Sequence, residues 1–164
     1  VNNAGICPRC SALEYTEEMW DQIIQLNQKS VFFLSQLAAR QFVKQKSRGK
    51  IINLASMMSF LGGFNTTAYT ASKSAVAGLT RVCASEWGAL GINVNALAPG
   101  WIKTGLSAAL VADTARYESV KARIPMGDWG EPDVFKGIAV LLASSASDYI
   151  NGAIIPVDGG YLTK

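Results

Sequence analysis

Histidine is missing from this 164-residue chain, and cysteine occurs three times, as Cys7, Cys10 and Cys83. So small and odd a cysteine count argues against a disulfide framework. Cys7-Pro8-Arg9-Cys10 makes one C-x-x-C pair. A structural zinc site takes four ligands, and with no histidine and no second C-x-x-C the set cannot be completed. The pair reads as two reduced cysteines in a loop, with redox chemistry as the less favoured alternative. No apolar stretch approaches the roughly 20 residues a membrane span requires. No signal peptide is visible, in a chain that opens on Val1 rather than Met. Charge is sparse as well: 15 Lys+Arg stand against 12 Asp+Glu. The bases are scattered and not interleaved with aromatics, which speaks against a nucleic-acid or membrane-surface partner. Repeats, low-complexity tracts and long linkers are also lacking.

What the chain does have is apolar material, 49% of its residues, enough for the core of one domain. The pattern alternates helix and strand. Glu17 to about Gln45 reads as one long helix, N-capped by Thr16 with Glu17 and Glu18 in its first turn. Met19, Ile23, Leu26, Phe33, Leu34, Leu37 and Phe42 recur at helical spacing, and Ile24, Val31 and Phe32 widen the stripe. A helix apolar on two sides is buried on two sides, which raises the prospect of a partner subunit. Lys50–Ala55 reads as a buried strand, Ser56–Asn65 as a loop, and Thr67 to about Leu90 as a second helix stopped at Gly91. Ile92–Ala98 is the next strand, ended by Pro99-Gly100. Trp101–Gly130 is less regular, with short helices expected over Ser107–Ala112 and Thr114–Arg123; an excursion of this length beside a site is often a lid. Pro132 opens a helix running to about Ser144, and Ile154–Val157 is a last strand whose Pro156 indicates a sheet edge. This alternation predicts an α/β fold, a parallel sheet with helices on both faces. Ligands of such sheets bind beyond the carboxyl ends of the strands, which directs attention to the residues after Val1, Ala55 and Ala98.

The second of those places leads to Tyr69-Thr70-Ala71-Ser72-Lys73. Tyr69 and Lys73, at i and i+4, share one helix face. A phenol with a pKa near 10 is a poor base at neutral pH, and lowering it by about 3 units takes roughly 4 kcal/mol. A lysine charge about 4 Å away, at an effective dielectric of about 20, supplies roughly that much. The helix N-terminus near Tyr69 favours an anion too. The pair therefore fits a general acid/base, although Y-x-x-x-K alone is a common surface pattern. Ser56, at the preceding strand end, is placed to polarise a carbonyl against Tyr69; a cap or loop serine is the bland alternative. Asn2-Asn3-Ala4-Gly5 supplies small residues for close backbone approach and amides to fix neighbouring strands. Pro99-Gly100-Trp101-Ile102-Lys103-Thr104 adds a tight turn with a hydroxyl and backbone donors. By itself Asn27 is a polar break in an apolar helix, with a solvated position as its ordinary reading.

Asn2-Asn3-Ala4-Gly5, Ser56 at its distance from Tyr69-x-x-x-Lys73, Pro99-Gly100 with Thr104, and Asp158-Gly159-Gly160 together resemble the short-chain dehydrogenase/reductase family over the whole chain. The resemblance implies the C-terminal half of a Rossmann-like doubly wound parallel sheet. It makes Tyr69 the proton donor/acceptor, Lys73 its partner and a ligand of the nicotinamide ribose, and Ser56 the holder of the substrate oxygen. Asn27 would hold a water in a proton relay. Asn3, Ala4, Gly5, Pro99, Gly100, Ile102 and Thr104 would line the cofactor with Tyr69 and Lys73; Met58 and Trp101 would join Ser56 and Tyr69 around the substrate. The segments Ile52–Phe60, Tyr69–Ser74, Glu86-Trp87 and Ser144–Gly152 are most similar to the sugar-acid branch, the 2-deoxygluconate or 2-keto-3-deoxygluconate dehydrogenases. Asp128, within Gly127-Asp128-Trp129-Gly130, stands where that branch usually carries Arg.

The family's glycine-rich phosphate-binding turn, G-x-x-x-G-x-G, has no match, nor does the residue that chooses between NAD and NADP. The expectation is a partial single domain over residues 1–164, a contiguous half-sheet with one open edge, binding dinucleotide poorly by itself. The implied activity is hydride transfer between NAD or NADP, NAD slightly favoured, and a secondary alcohol or ketone of a sugar acid. A broader carbonyl or 3-oxoacyl-thioester reductase and a non-catalytic dinucleotide sensor are the alternatives. The implied protein is cytoplasmic, binds no metal, and forms dimers or tetramers when intact.

Overall fold

Strand residues with apolar side chains on alternate faces dictate a sheet buried from both sides, and the computed structural model, which describes residues 1–163, has one. Strands β1 (Gly49–Leu54), β2 (Ile92–Pro99) and β3 (Ile154–Val157) run parallel in the order β1-β2-β3. The register pairs Gly49 with Ile92 through Leu54 with Leu97, then Ala96 with Ile154 through Pro99 with Val157. β3 is an edge strand, which is why Pro156 is tolerated there. On the outer side of β1, Asn2 donates its N–H to Ile52 O (2.9 Å) and accepts from Leu54 N (3.1 Å). The first residues thus extend the sheet at the level of Asn53.

The two faces follow the period of two. Ile51, Ile92 and Val94 pack with Ala39, Cys83 and Ala84 against the helix pair α2 (Ser30–Gln45) and α3 (Thr67–Trp87). Ile52 and Leu97 point the other way and pack on Leu142 of α6 (Lys136–Ala143). Buried asparagines interrupt the apolar strands, and each finds partners, as burial demands. Asn53 Nδ2 donates to Thr80 Oγ1 at 3.0 Å and its Oδ1 accepts from Asn2 at 2.8 Å. Asn95 bonds Ile150 O and Ala153 N.

The expected helix from Glu17 to Gln45 runs without interruption but changes pitch. α1 (Glu17–Ile24), N-capped by Thr16 through Met19 N, runs into a π-helical turn over Gln25–Lys29 before α2 begins. A π turn widens the backbone by a residue and swings a side chain off the regular stripe. Here it carries Asn27 inward to complete burial. α3 ends at Trp87 in a short 3₁₀ turn, and Gly91 (φ 77°) turns the chain into β2. The excursion between β2 and α6 holds α4 (Ala108–Ala112) and α5 (Thr114–Lys121), both within the spans expected from sequence. Pro132 opens a 3₁₀ turn, Pro132–Phe135, rather than α6 itself. Among the described residues no helix is long and apolar enough to cross a membrane, and no cluster of metal-ligating side chains occurs.

Candidate active site

The carboxyl ends of β1 and β2 and the start of α3 bring the candidate residues to one place. Ser56 follows β1 and caps the 3₁₀ turn Met57–Ser59, its Oγ accepting from Met58 N at 3.1 Å. Ser59 ties that turn to α3 by donating to Lys73 O at 2.6 Å. Tyr69 is the third residue of α3, and Lys73 lies one turn further on the same face. The Lys73 ammonium is buried, stands 5.7 Å from the centre of the Tyr69 ring, and donates to Leu54 O, the last carbonyl of β1, at 2.6 Å.

Asn27 enters from the other side. Its Oδ1 accepts from Ile6 N (2.9 Å), and its Nδ2 donates to Ile6 O (2.8 Å) and Ser72 Oγ (3.3 Å). A solvated position, the ordinary reading of this residue from sequence, is thereby overturned: the amide is clamped between the loop after Gly5 and the helix of Tyr69 and Lys73. Asn3, Ala4 and Gly5 are exposed on the solvent side of this clamp. Gly5 has little space for a larger residue, since a Cβ there would lie 3.3 Å from Asn27 Oδ1 and 3.7 Å from Lys73 Nζ.

At the end of β2, Pro99 and Gly100 pass close under β3; a Cβ at Gly100 would meet Asp158 Cα at 2.6 Å. Ile102 pairs with Gly130. Thr104 N donates to Ser107 Oγ at 3.0 Å, part of a capping box that leaves the Thr104 side chain at the surface. Met58 and Trp101, the substrate candidates, join one apolar cluster with Met57, Val120, Ile124, Trp129 and Tyr161. Trp101 packs against Trp129 (5.1 Å) and Tyr161 (6.2 Å), and its Nε1 is buried with no partner among the described residues. Two surface hollows of about 500 and 410 Å³ lie along α1 and beside Arg48; neither includes Ser56, Tyr69 or Lys73. Of the trio, Tyr69 alone is half-buried; Ser56 and Lys73 are buried.

The electrostatics differ from the sequence expectation. Burial pushes the Tyr69 phenol up to about 12, while the nearby Ser56 hydroxyl pulls it down; Cys7 adds to the rise and the Arg9 charge opposes it. Burial brings the Lys73 ammonium down to about 8, against the influence of Cys7. Lys73 therefore does not depress the phenol below its ordinary range in this structure. The ammonium is turned to Leu54 O, and each buried group disfavours its own charged form. At neutral pH Tyr69 holds its proton and Lys73 its charge, the state required of a proton donor.

Two residues that sequence reasoning did not place in the site act on it. Arg9 influences both Tyr69 and Cys7, and among the described residues it makes no ion pair. Its segment is fixed at Ile6 by Asn27 and at Cys10 by a bond from Cys10 N to Asn65 O (3.1 Å), so it runs from the π turn to the residues just before α3. The only sequence signal was a basic residue four positions after Gly5. Cys7 and Cys10 are free thiols on a stretch without a turn between them, which fits the reduced-loop reading.

Comparison with known proteins agrees with this geometry. The family model described as enoyl-(acyl carrier protein) reductase matches residues 1–162. The chain is 56% identical, over its whole length, to 2-dehydro-3-deoxy-D-gluconate 5-dehydrogenase of Dickeya dadantii, of which it spans 65%. It superposes with a TM-score of 0.97 and 47% identity on a structure titled a putative 2-deoxy-D-gluconate 3-dehydrogenase from Agrobacterium tumefaciens with bound NADP, covering 99% of this chain and 66% of that one. A gluconate 5-dehydrogenase from Burkholderia cenocepacia in complex with NADP and tartrate gives a TM-score of 0.97 at 39% identity, covering 99% and 64%.

Proposed function

Because the chain belongs to the short-chain dehydrogenase/reductase family, we propose that it carries the catalytic part of an NAD(P)-dependent oxidoreductase acting on the secondary alcohol or ketone of a sugar acid. The convergence of Ser56, of Tyr69 and Lys73 on one helix, and of Asn27, from three separate stretches of chain, carries the reading. The residues fit a nicotinamide cofactor, either NAD or NADP. The exposed Asn3–Gly5 backbone leads to the Lys73 ammonium with no side chain at Gly5 to obstruct it, and Pro99, Gly100, Ile102 and Thr104 face the same end of the sheet. Such a cofactor supplies or takes the hydride.

The protein's part is to orient the substrate and move a proton. Ser56 holds the substrate oxygen. Tyr69, protonated at neutral pH, gives its proton to that oxygen as the carbonyl is reduced and takes it back in the oxidative direction. The charge on Lys73 favours the phenolate while it lasts, and Asn27 keeps the loop before it and α3 in register. Met58 and Trp101 form the wall beside the substrate. A sugar acid carries a carboxylate, and the cations near the site are unequally free to meet it. Lys73 is committed to Leu54 O, Lys103 is paired with Glu131 at 3.0 Å, and Arg9, exposed and without an ion pair among the described residues, acts on Tyr69 by its charge. Arg9 is thus the counterion we assign to the substrate carboxylate.

The same reading makes residues 1–164 part of a single domain and places the protein in the cytoplasm. It also has the protein self-associate through the apolar outer face of α2, where Phe33, Leu34 and Leu37 are exposed; sedimentation of the full-length protein tests that. The substrate assignment is tested by following NADH and NADPH oxidation by the full-length protein with 5-keto and 3-keto sugar acids and with 3-oxoacyl thioesters. Faster turnover of the sugar acids, lost on Arg9→Met through a raised KM, is expected. Preference for the thioesters would replace this substrate class with the broader carbonyl reductase.

A further inference from the structure

The excursion between β2 and α6 is fastened at a residue that the proposed chemistry does not use. Its neck closes where Lys103 N donates to Gly130 O and Gly130 N to Trp101 O, both at 2.9 Å. Above the neck Tyr117 lies parallel to Trp129, ring centres 5.3 Å apart and planes 5° off, and Trp129 Nε1 donates to Tyr117 O at 3.2 Å. Trp129, almost fully buried, rests in turn on Trp101. Asp128 joins these parts. Its Oδ1 accepts from the Tyr117 phenol at 2.5 Å and from Trp129 N at 2.8 Å, and its other oxygen lies 3.8 Å from Lys103 Nζ. The wall so built reaches the reaction centre through Met57 and Met58, the two residues after Ser56, which pack in the same cluster.

We propose that Asp128 is a positioning residue for the substrate: by holding Tyr117 flat on Trp129 it keeps the Trp101–Met58 wall, and with it α4 and α5, closed over the Ser56–Tyr69 site. The proposal rests on the oxidoreductase reading. Of the two attachments Asp128 makes, the hydrogen bonds carry the effect. Lys103 and Asp128 are both substantially exposed and 3.8 Å apart, where an ion pair contributes little. The phenol bond, although at the surface, shares its acceptor oxygen with the Trp129 N–H, so one carboxylate oxygen ties the stacked Tyr117 to the neck. Asn at position 128 would keep the oxygen that accepts from both Tyr117 and Trp129 and lose the charge. Ala would lose both.

The test compares Asp128→Ala, Tyr117→Phe and Asp128→Asn in the full-length protein. Loss of a solvent-exposed bond to a charged acceptor corresponds to about a threefold effect. Asp128→Ala and Tyr117→Phe should therefore raise the sugar-acid KM about threefold with kcat within about 1.5-fold. Both should speed proteolytic cleavage between Gly105 and Gly127, and Asp128→Asn should restore both properties. Unchanged KM and unchanged cleavage in Asp128→Ala and Tyr117→Phe would overturn the proposal. So would a parallel fall of kcat, affinity and thermal stability in all three, which is the mark of a residue needed only to fold. If the full-length protein reduces no sugar acid at all, the oxidoreductase reading falls on that ground, and the cleavage rates alone decide whether Asp128 holds the excursion shut.

Discussion

Tyr69 and Lys73 sit one helical turn apart and respond to burial in opposite directions, the phenol upward and the ammonium downward. This has a consequence for stability. The Lys73 value in the fold, about 8, lies below the 10.5 of a solvated lysine. Between those two values an unfolded chain holds a proton that the folded chain has released, so unfolding becomes harder as pH rises through that window. Tyr69 acts the other way only above its ordinary value of 10, where the fold retains a proton the unfolded chain loses. Urea midpoints of the full-length protein and of Lys73→Met, compared at about pH 7.5 and 9.5, should show a larger rise for the unaltered protein. Equal slopes would mean that Lys73 is not desolvated as described. Sequence made the trio of Ser56, Tyr69 and Lys73 legible, because their spacing follows from local geometry: a strand end, a loop, and one face of a helix. It did not make the electrostatics legible. The direction of each shift depends on burial by distant elements and on where the ammonium points, and spacing records neither. Arg9 was missed for a similar reason, since nothing local tells a loop arginine whose charge reaches Tyr69 from any other exposed arginine.

The π turn at Gln25–Lys29 is the feature of secondary structure on which the site most depends. Buried side chains along α1, the turn and α2 fall at Ile23, Asn27, Val31, Ser35 and Ala39, every fourth residue. A straight α-helix drifts off a spacing of four, and the wider turn absorbs part of that drift. Sequence showed an apolar stripe spreading past one face and gave no sign of the wider turn. The cause lay in contacts of long range, from Asn27 to Ile6 and Ser72, which no window along the chain samples. Asn27→Ala would leave the Ile6 N–H and C=O and the Ser72 hydroxyl short of a partner. It should cost about 1–3 kcal/mol of stability, read from urea unfolding. The same variant should weaken cofactor binding, because the loop through Gly5 is no longer held to α3. A loss of stability with cofactor affinity untouched would show the clamp to be structural only. The other elements were legible to within a few residues because each is bounded by local punctuation: Thr16 as a cap, Gly91 in left-handed backbone, and Pro156 on an edge strand.

On the scale of the molecule, a three-stranded parallel sheet gathers three strand ends at one side, and the chemistry is collected there by topology rather than by proximity in sequence. Ser56 follows β1, Gly100 and Trp101 follow β2, and Asp158 follows β3 to pack under Gly100. That much was legible from the alternation of helix and strand, since ligands of such sheets gather at the carboxyl ends. The closure of the Trp101–Gly130 excursion was not, because it depends on aromatic stacking and on the bonds of a single carboxylate, Asp128. The chain spans 65% of the Dickeya dadantii relative, so the activity proposed for it is to be measured on the full-length protein. The most direct measurement is kcat for sugar-acid reduction by the Tyr69→Phe variant, with folding checked by circular dichroism. A phenyl ring keeps the packing and removes only the proton that Tyr69 is held to transfer. The rate should fall by about 10²–10⁴ with KM little changed. A kcat equal to that of the unaltered protein would contradict the account.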